Sequence, residues 1–191
     1  MKIKEFDGGL LPGNQEVTIG IDQSLTGFAL SVVSVEFPNL HMTWVAKSEY
    51  RGIQRLVDIH DWLDAKIFEF QLNGWIIKDS AMEGTVLASH SALALGELAA
   101  IVKLVLWYKL PKPPLQIPPM TLKKYATGKG TAKKQEMLLQ MYKRWGVEFN
   151  DDNAADAYAL ARLASGSAID TIERETQEKI KDSKYRDFIE N

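Results

Sequence analysis

Val17-Thr18-Ile19-Gly20-Ile21-Asp22-Gln23-Ser24-Leu25-Thr26-Gly27-Phe28-Ala29-Leu30 decides the fold of this chain. An apolar run ends on an acid, a short polar turn with a glycine follows, and a second apolar run returns. That is the signature of two strands joined as a hairpin. It places the Asp22 carboxylate in the middle of a sheet, where an ionised group is costly unless a cation or a partner compensates it. Working outward, two more acids stand in similar settings: Glu83 in Met82-Glu83-Gly84, and Asp156 in Asp151-Asp152-Asn153-Ala154-Ala155-Asp156. Three separated acids in apolar surroundings suggest a divalent-metal site assembled from distant segments.

The strands and helices around these acids follow from spacing. Val17 to Asp22, Gly27 to Val35 and His41 to Lys47 read as three strands, with Pro38-Asn39 turning between the last two. Leu56, Ile59, Leu63, Ile67 and Phe70 recur at three- and four-residue intervals, which predicts an amphipathic helix over Arg55 to Leu72, ended by Asn73-Gly74. Ser80 to Glu83 reads as a short strand, Ser89 to Lys109 as a long apolar helix, and Leu115 to Ile117 as a strand. Helices are expected over Thr131 to Trp145, with Thr131 as cap, and over Asn153 to Ala164. The order describes an α/β fold, a mixed five-stranded sheet flanked by helices. Residues 1–15, rich in Gly, Pro and Asn, read as an irregular lead-in; 16–166 as one domain; 167–191 as a charged, helical, peripheral tail.

The totals bound the partners. At 191 residues the chain holds one domain and a real core. No run approaches the roughly 18 uninterrupted apolar residues of a membrane span, and the N-terminus lacks the apolar segment of a signal peptide. The absence of cysteine excludes disulfides and thiolate metal sites and fits a cytoplasmic setting. The formal net charge is −2, yet Lys103 to Arg144 carries ten basic residues and one acid, Glu136. That +9 block leaves −11 for the remainder, an asymmetry that suits a polyanion-binding surface as well as an ordinary solvated face.

Chemistry narrows the metal. On a helix starting near residue 152, Asp152 and Asp156 share a face. Asp151, Asp152 and Asn153 are all favoured N-cap residues, so one of them caps this helix whatever its function. Hard carboxylate oxygens without histidine or cysteine favour Mg²⁺ or Mn²⁺ over zinc. Two such ions about 4 Å apart would activate a water and stabilise the leaving oxygen in phosphodiester cleavage. The histidines form no ligand spacing: His41 and His60 are expected at exposed positions, and His90 begins a helix. Lys133 and Lys134 fall in the first turn of the Thr131 helix, where cations oppose the helix dipole at about 0.3–1 kcal/mol each. With Gly128-Lys129-Gly130 they form an anion site for backbone phosphate. The spacing of a nucleotide P-loop is absent, so no nucleotide cofactor is expected.

With these residues in place, the chain resembles the RuvC family of Holliday junction resolvases, within the ribonuclease H-like superfamily, and its phage-encoded branch most of all. The resemblance spans roughly Val17 to Ala164. Its carriers are Ile19-Gly20-Ile21-Asp22-Gln23-Ser24-Leu25-Thr26-Gly27, Met82-Glu83-Gly84, Ser91-Ala92-Leu93-Ala94-Leu95-Gly96-Glu97, Gly128-Lys129-Gly130-Thr131-Ala132-Lys133-Lys134 and Asn153-Ala154-Ala155-Asp156-Ala157. It implies a homodimer that cuts four-way or branched DNA symmetrically with two Mg²⁺ or Mn²⁺ ions per site, in a host cytoplasm if phage-encoded. Carried over, Asp22, Glu83 and Asp156 are catalytic metal ligands. Asn153 stands where the resemblance places a further ligand, so either its carbonyl oxygen coordinates or Asp152 takes over; the i to i+4 spacing to Asp156, which keeps two ligands on one face, favours Asp152. Lys123 and Lys134 match phosphate-contacting lysines, Lys124, Lys129 and Lys133 extend the DNA-binding surface, and Val86-Leu87 matches a wedge at the junction centre.

Other readings share parts of this pattern. A hybrid or flap nuclease of the ribonuclease H type uses the same acids and needs no dimer. A junction-binding module with weakened catalysis is suggested by Asn153. A sugar-kinase or chaperone-like ATPase needs two subdomains, for which 191 residues are too few.

Overall fold

The structure, a computed structural model, describes residues 1–84 and 91–186. Six strands form one mixed sheet: β1 (Lys2–Asp7), β2 (Glu16–Asp22), β3 (Phe28–Ser34), β4 (His41–Lys47), β5 (Ile76–Glu83) and β6 (Leu115–Ile117). Their spatial order is β1-β4-β3-β2-β5-β6. The β2–β3, β3–β4 and β1–β4 pairs are antiparallel, while β5 runs parallel to both β2 and β6.

The helices are α1 (Gly52–Leu72), α2 (Ala92–Lys109), α3 (Pro119–Thr127), α4 (Lys134–Trp145), α5 (Asp152–Ser165) and α6 (Thr171–Ile180). Two apolar cores lie on the two faces of the sheet. One packs α1 and α2 against Val17, Ile19 and Ile21 of β2, Leu30 and Val32 of β3, and Met82 of β5. The other packs α3, α4 and α5 against Ala29, Val33 and Ala81.

Alternation along each strand therefore assigns the acids a face. Since Val17, Ile19 and Ile21 belong to the α1–α2 core, Thr18, Gly20 and Asp22 point towards α5. Glu83 joins Ala81 on that same face. Thr18 Oγ1 donates to the Ala161 carbonyl at 2.7 Å. At Gly20 a Cβ would stand 2.1 Å from the Ala157 carbonyl oxygen, so the α5 backbone lies directly on this glycine. With Ala161 over Thr18 and Ala157 over Gly20, α5 runs antiparallel to β2. Its first turns then arrive at Asp22.

Several sequence expectations are revised here. The sheet has six strands, because Lys2–Asp7 is not an irregular lead-in but an edge strand paired with β4 from Lys2↔Lys47 to Asp7↔Met42. Its side chains are mostly exposed and alternate charge with Ile3 and Phe6, the polar dress of an edge strand, which reads as loop in a linear scan. Strand β5 begins at Ile76, ahead of the Ser80 start expected from sequence. Helix α3 was not expected from the sequence; Pro119 opens it, in the first helical turn where proline is favoured. The Gly128 turn (φ +81°) closes α3, and α4 begins at Lys134 with Lys133 as its N-cap, so Thr131 caps nothing.

The tail is not peripheral up to residue 186. Asp170 caps α6 through the Glu173 N–H, and the Glu173 side chain is fully buried. It accepts from Arg144 Nη2 and Trp145 Nε1, both at 2.8 Å, and from the Ile169 N–H at 3.0 Å. Arg144 also donates to the Tyr125 carbonyl and to Asp170. The buried Glu173 carboxylate thus ties α6 to α4, and Arg144 carries the link on to α3.

Candidate active site

Asp22 ends β2 and Glu83 ends β5 one step beyond the parallel pair Ile21↔Met82, so both acids emerge at the same edge of the sheet. Helix α5 starts above them because Asp151 caps it, accepting from the N–H groups of Asn153 and Ala154. Asp156 then lies one turn along, on the face shared with Asp152. Together with Gln23, Ser24, Lys123 and Lys134, these residues line a cleft of about 360 Å³. Sequence spacing predicted three distant acids on one site, and the structure brings Asp22, Glu83 and Asp156 to one cleft, with Asp152 and Asn153 on its wall.

The negative charge of this cleft is only partly compensated. Burial, and then the neighbouring charges of Asp156 and Glu83, hold the Asp22 carboxyl well above the usual carboxylate range; Lys134 opposes them only in part. Burial followed by repulsion from Glu83 pushes Asp156 up to about 7. Burial raises Glu83, against the pull of Lys123 and Lys134. Among the described residues, no side chain donates a hydrogen bond to Asp22, Glu83 or Asp156. At neutral pH such a cluster either carries protons or attracts a cation.

The donor set fits a hard divalent ion, being all oxygen, buried and short of positive charge. The arrangement is open, however. Among the described residues, no three acidic or histidine side chains stand close enough together to hold a metal ion as they are. Among the residues lining the cleft, Lys134 pairs its ammonium with Asp152 at 2.9 Å. The Asp152 hydrogen bond is also the leading cause of the raised Lys134 pKa. Asn153 lies against the β2–β3 turn, its Nδ2 only 2.6 Å from where a Cβ on Gly27 would be. Both candidates for the fourth ligand therefore line the cleft, with Asp152 engaged by a lysine and Asn153 packed under the turn.

The basic block divides. Lys123 and Lys134 reach the cleft. Lys124 lines a separate groove between α3 and α6, Lys129 pairs with Glu136 at 3.3 Å, and Lys133 is exposed at the start of α4. Lys109, Lys112 and Arg144 are engaged by Asp64, Asp79 and Glu173. Much of the +9 charge is thus spent inside the fold, and two lysines face the acids. Val86, Leu87 and His90 lie outside the described residues. His60 is exposed as expected, but His41 is buried on the inner face of β4 against the rings of Phe149 and Tyr158. Burial lowers its pKa to about 4, making it a neutral core residue.

Gln23 and Met137 also line the cleft, and neither is singled out by motif. Gln23 carries a signal once neighbours are known: its Nε2 donates to the Glu83 carbonyl at 2.8 Å, bracing the two strand ends that carry the acids.

No protein-family model and no curated protein sequence matches the chain. Solved structures do. The Thermus thermophilus RuvC structure matches at TM-score 0.60 and 22% identity, over 76% of this chain and 90% of that one. T. thermophilus RuvC in complex with a Holliday junction substrate matches at TM-score 0.60 and 21% identity, with the same coverage. The yeast mitochondrial Holliday junction resolvase matches at TM-score 0.53 and 14% identity, over 91% of this chain and 82% of that one. The chain has the α/β, RuvC-type, ribonuclease H-like fold.

Proposed function

We propose that this chain is a metal-dependent, structure-selective DNA endonuclease that resolves Holliday junctions and other branched DNA by symmetric phosphodiester cleavage. One observation carries the reading: Asp22, Glu83 and Asp156, from β2, β5 and α5, line a single cleft with Lys123 and Lys134. The similarity of the fold to two junction resolvases supports the choice of substrate.

In this reading Asp22, Glu83 and Asp156, with Asp152 or Asn153, hold two Mg²⁺ or Mn²⁺ ions. Bound there, the ions supply Lewis acidity and a water of lowered pKa. The chain's own residues do the rest. Lys123 and Lys134 place their ammonium groups on the phosphate and bring the phosphorus to the acids. The water oxygen bonds to phosphorus and releases a proton to solvent, one phosphorus–oxygen ester bond breaks, and the leaving oxygen takes up a proton from solvent. Lys134 exchanges Asp152 for the incoming phosphate, which returns that carboxylate to the acid cluster.

Symmetric cleavage calls for two copies. Leu93, Leu104, Trp107 and Tyr108 of α2 are exposed on one helix face, interrupted by Glu97, and this largely apolar face suits a homodimer interface. Among the described residues, no helix is long and apolar enough to cross a membrane.

The test is incubation with labelled four-way junction, duplex and RNA–DNA hybrid in Mg²⁺ or Mn²⁺, alongside Asp22→Asn. Paired nicks confined to the junction, abolished by the substitution while junction binding persists, are expected. Cleavage that survives in Asp22→Asn refutes the acid cluster as the site. Cutting of the hybrid alone identifies a ribonuclease H-like enzyme, and tight junction binding without cutting a catalytically weakened binder.

A further inference from the structure

Gln23 is 3% exposed, yet it is polar and lines the acid cleft. Its amide has a fixed orientation. Nε2 donates to the Glu83 carbonyl at 2.8 Å, and a flipped amide would set two oxygens against each other. The other end of the amide is therefore an acceptor, and Oε1 is buried without a hydrogen-bond partner among the described residues. Leaving such an acceptor unsatisfied costs about 1–3 kcal/mol. An apolar residue of similar length would fill the position without that cost. Around it, the acids Asp22, Glu83 and Asp156 are acceptors as well when ionised. A water molecule satisfies Oε1 by donating one hydrogen and is also welcome among carboxylates, to which it donates the other.

We propose that Gln23 Oε1 holds a water molecule of the acid cleft, and that by accepting one of its hydrogens it orients the water consumed in hydrolysis. The inference rests on the nuclease reading for the role of that water, and on the orphaned acceptor alone for its presence. Gln23 neither takes nor gives a proton. It restricts the water to orientations in which an oxygen lone pair is free for phosphorus. Its Nε2 tether makes this orientation a property of the sheet edge, since the same bond braces the β2 and β5 ends.

Two substitutions separate water-holding from bracing. Gln23→Met has similar length and removes both functions; Gln23→Glu keeps an acceptor oxygen and gives up the tether. With labelled junction, Gln23→Met is expected to lower kcat by about tenfold to a hundredfold, the scale on which a misplaced reacting group costs rate. KM and junction affinity in Ca²⁺ should stay within about twofold. Gln23→Glu should retain clearly more turnover than Gln23→Met. Equal losses in both variants, tracking their loss of thermal stability, would assign Gln23 to bracing alone and overturn the proposal. So would wild-type turnover in Gln23→Met. A crystal structure of the wild-type protein supplies a readout independent of cleavage: an ordered water within hydrogen-bond distance of Oε1 is expected. A dry Oε1 refutes the inference even if junctions are cut, whereas a wet Oε1 in a protein that cuts nothing refutes only the nuclease reading.

Discussion

Gly20→Ala tests the link between packing and chemistry most directly. The added Cβ would lie 2.1 Å from the Ala157 carbonyl oxygen, 2.3 Å from the Ala161 nitrogen and 2.9 Å from the Leu160 carbonyl carbon. All three are backbone atoms of α5, so no side-chain rotation relieves the clash. Reaching ordinary contact at 3.4 Å moves the helix away from β2 by about 1.3 Å at its closest point. Overpacking of this kind costs about 1–3 kcal/mol, and alanine recovers roughly 0.5–1 kcal/mol of the strand entropy that glycine loses. A net loss of about 1 kcal/mol is expected, which for a domain of this size lowers the melting temperature by about 2–4 °C. The same displacement carries Asp156 away from Asp22, and a 1 Å misplacement can cost about a hundredfold in rate. Thermal unfolding and junction cleavage, measured on the same preparation, read both consequences. Gly96→Ala is the internal control, because none of the described residues lies within 4 Å of its added Cβ. That change removes a helical glycine and should leave stability equal or higher. If Gly20→Ala melts within a degree of wild type and cuts normally, α5 does not depend on this contact and the reasoning fails.

Two further outcomes follow from the charges. The Asp156 pKa is raised from 3.8 to about 7 in the fold, so its ionised form is disfavoured there. Its contribution is most favourable below about pH 4 and is lost as pH climbs through about 7. His41, lowered to about 4, acts in the opposite sense, so the comparison is with Asp156→Asn, in which the His41 contribution cancels. Without metal, wild type should gain stability relative to that variant between pH 7 and pH 4 in denaturant melts; a constant difference contradicts the raised pKa. At the other end of the fold, Glu173→Ala leaves Arg144 and the Trp145 indole without their buried acceptor, although Asp170 still pairs with Arg144. Breaking a buried pair from one side costs about 3–5 kcal/mol. A loss below about 1 kcal/mol in urea unfolding would show that α6 is not anchored through Glu173.

The parts of this fold that were legible in sequence are those written in local periodicity. Asp22 could be recognised because its strand alternates, placing Val17, Ile19 and Ile21 on one face and the acid on the other. The α1 face, Leu56 to Phe70, is equally explicit. Strand β1 and helix α3 were not legible, since an edge strand shows polar side chains on both sides and Pro118-Pro119 marks a helix start as readily as a break. His41 was misplaced as exposed because its partners, Phe149 and Tyr158, are more than a hundred residues away.

Sequence alone thus determined which residues could serve as acids, that they are isolated in apolar segments, and that the candidate ligands are oxygens, in a chain without cysteine whose three histidines form no ligand spacing. Tertiary structure decided that β2 and β5 run parallel, so that Asp22 and Glu83 leave the sheet at one edge. It also decided that α5 lies on Gly20, and that Lys134 is close enough to claim Asp152. The physical reason is range. Strand and helix periods are set by neighbours within a few residues. The pKa of Asp22 is set by burial and by charges at Glu83 and Asp156, which only the folded sheet and its packed helix bring within reach.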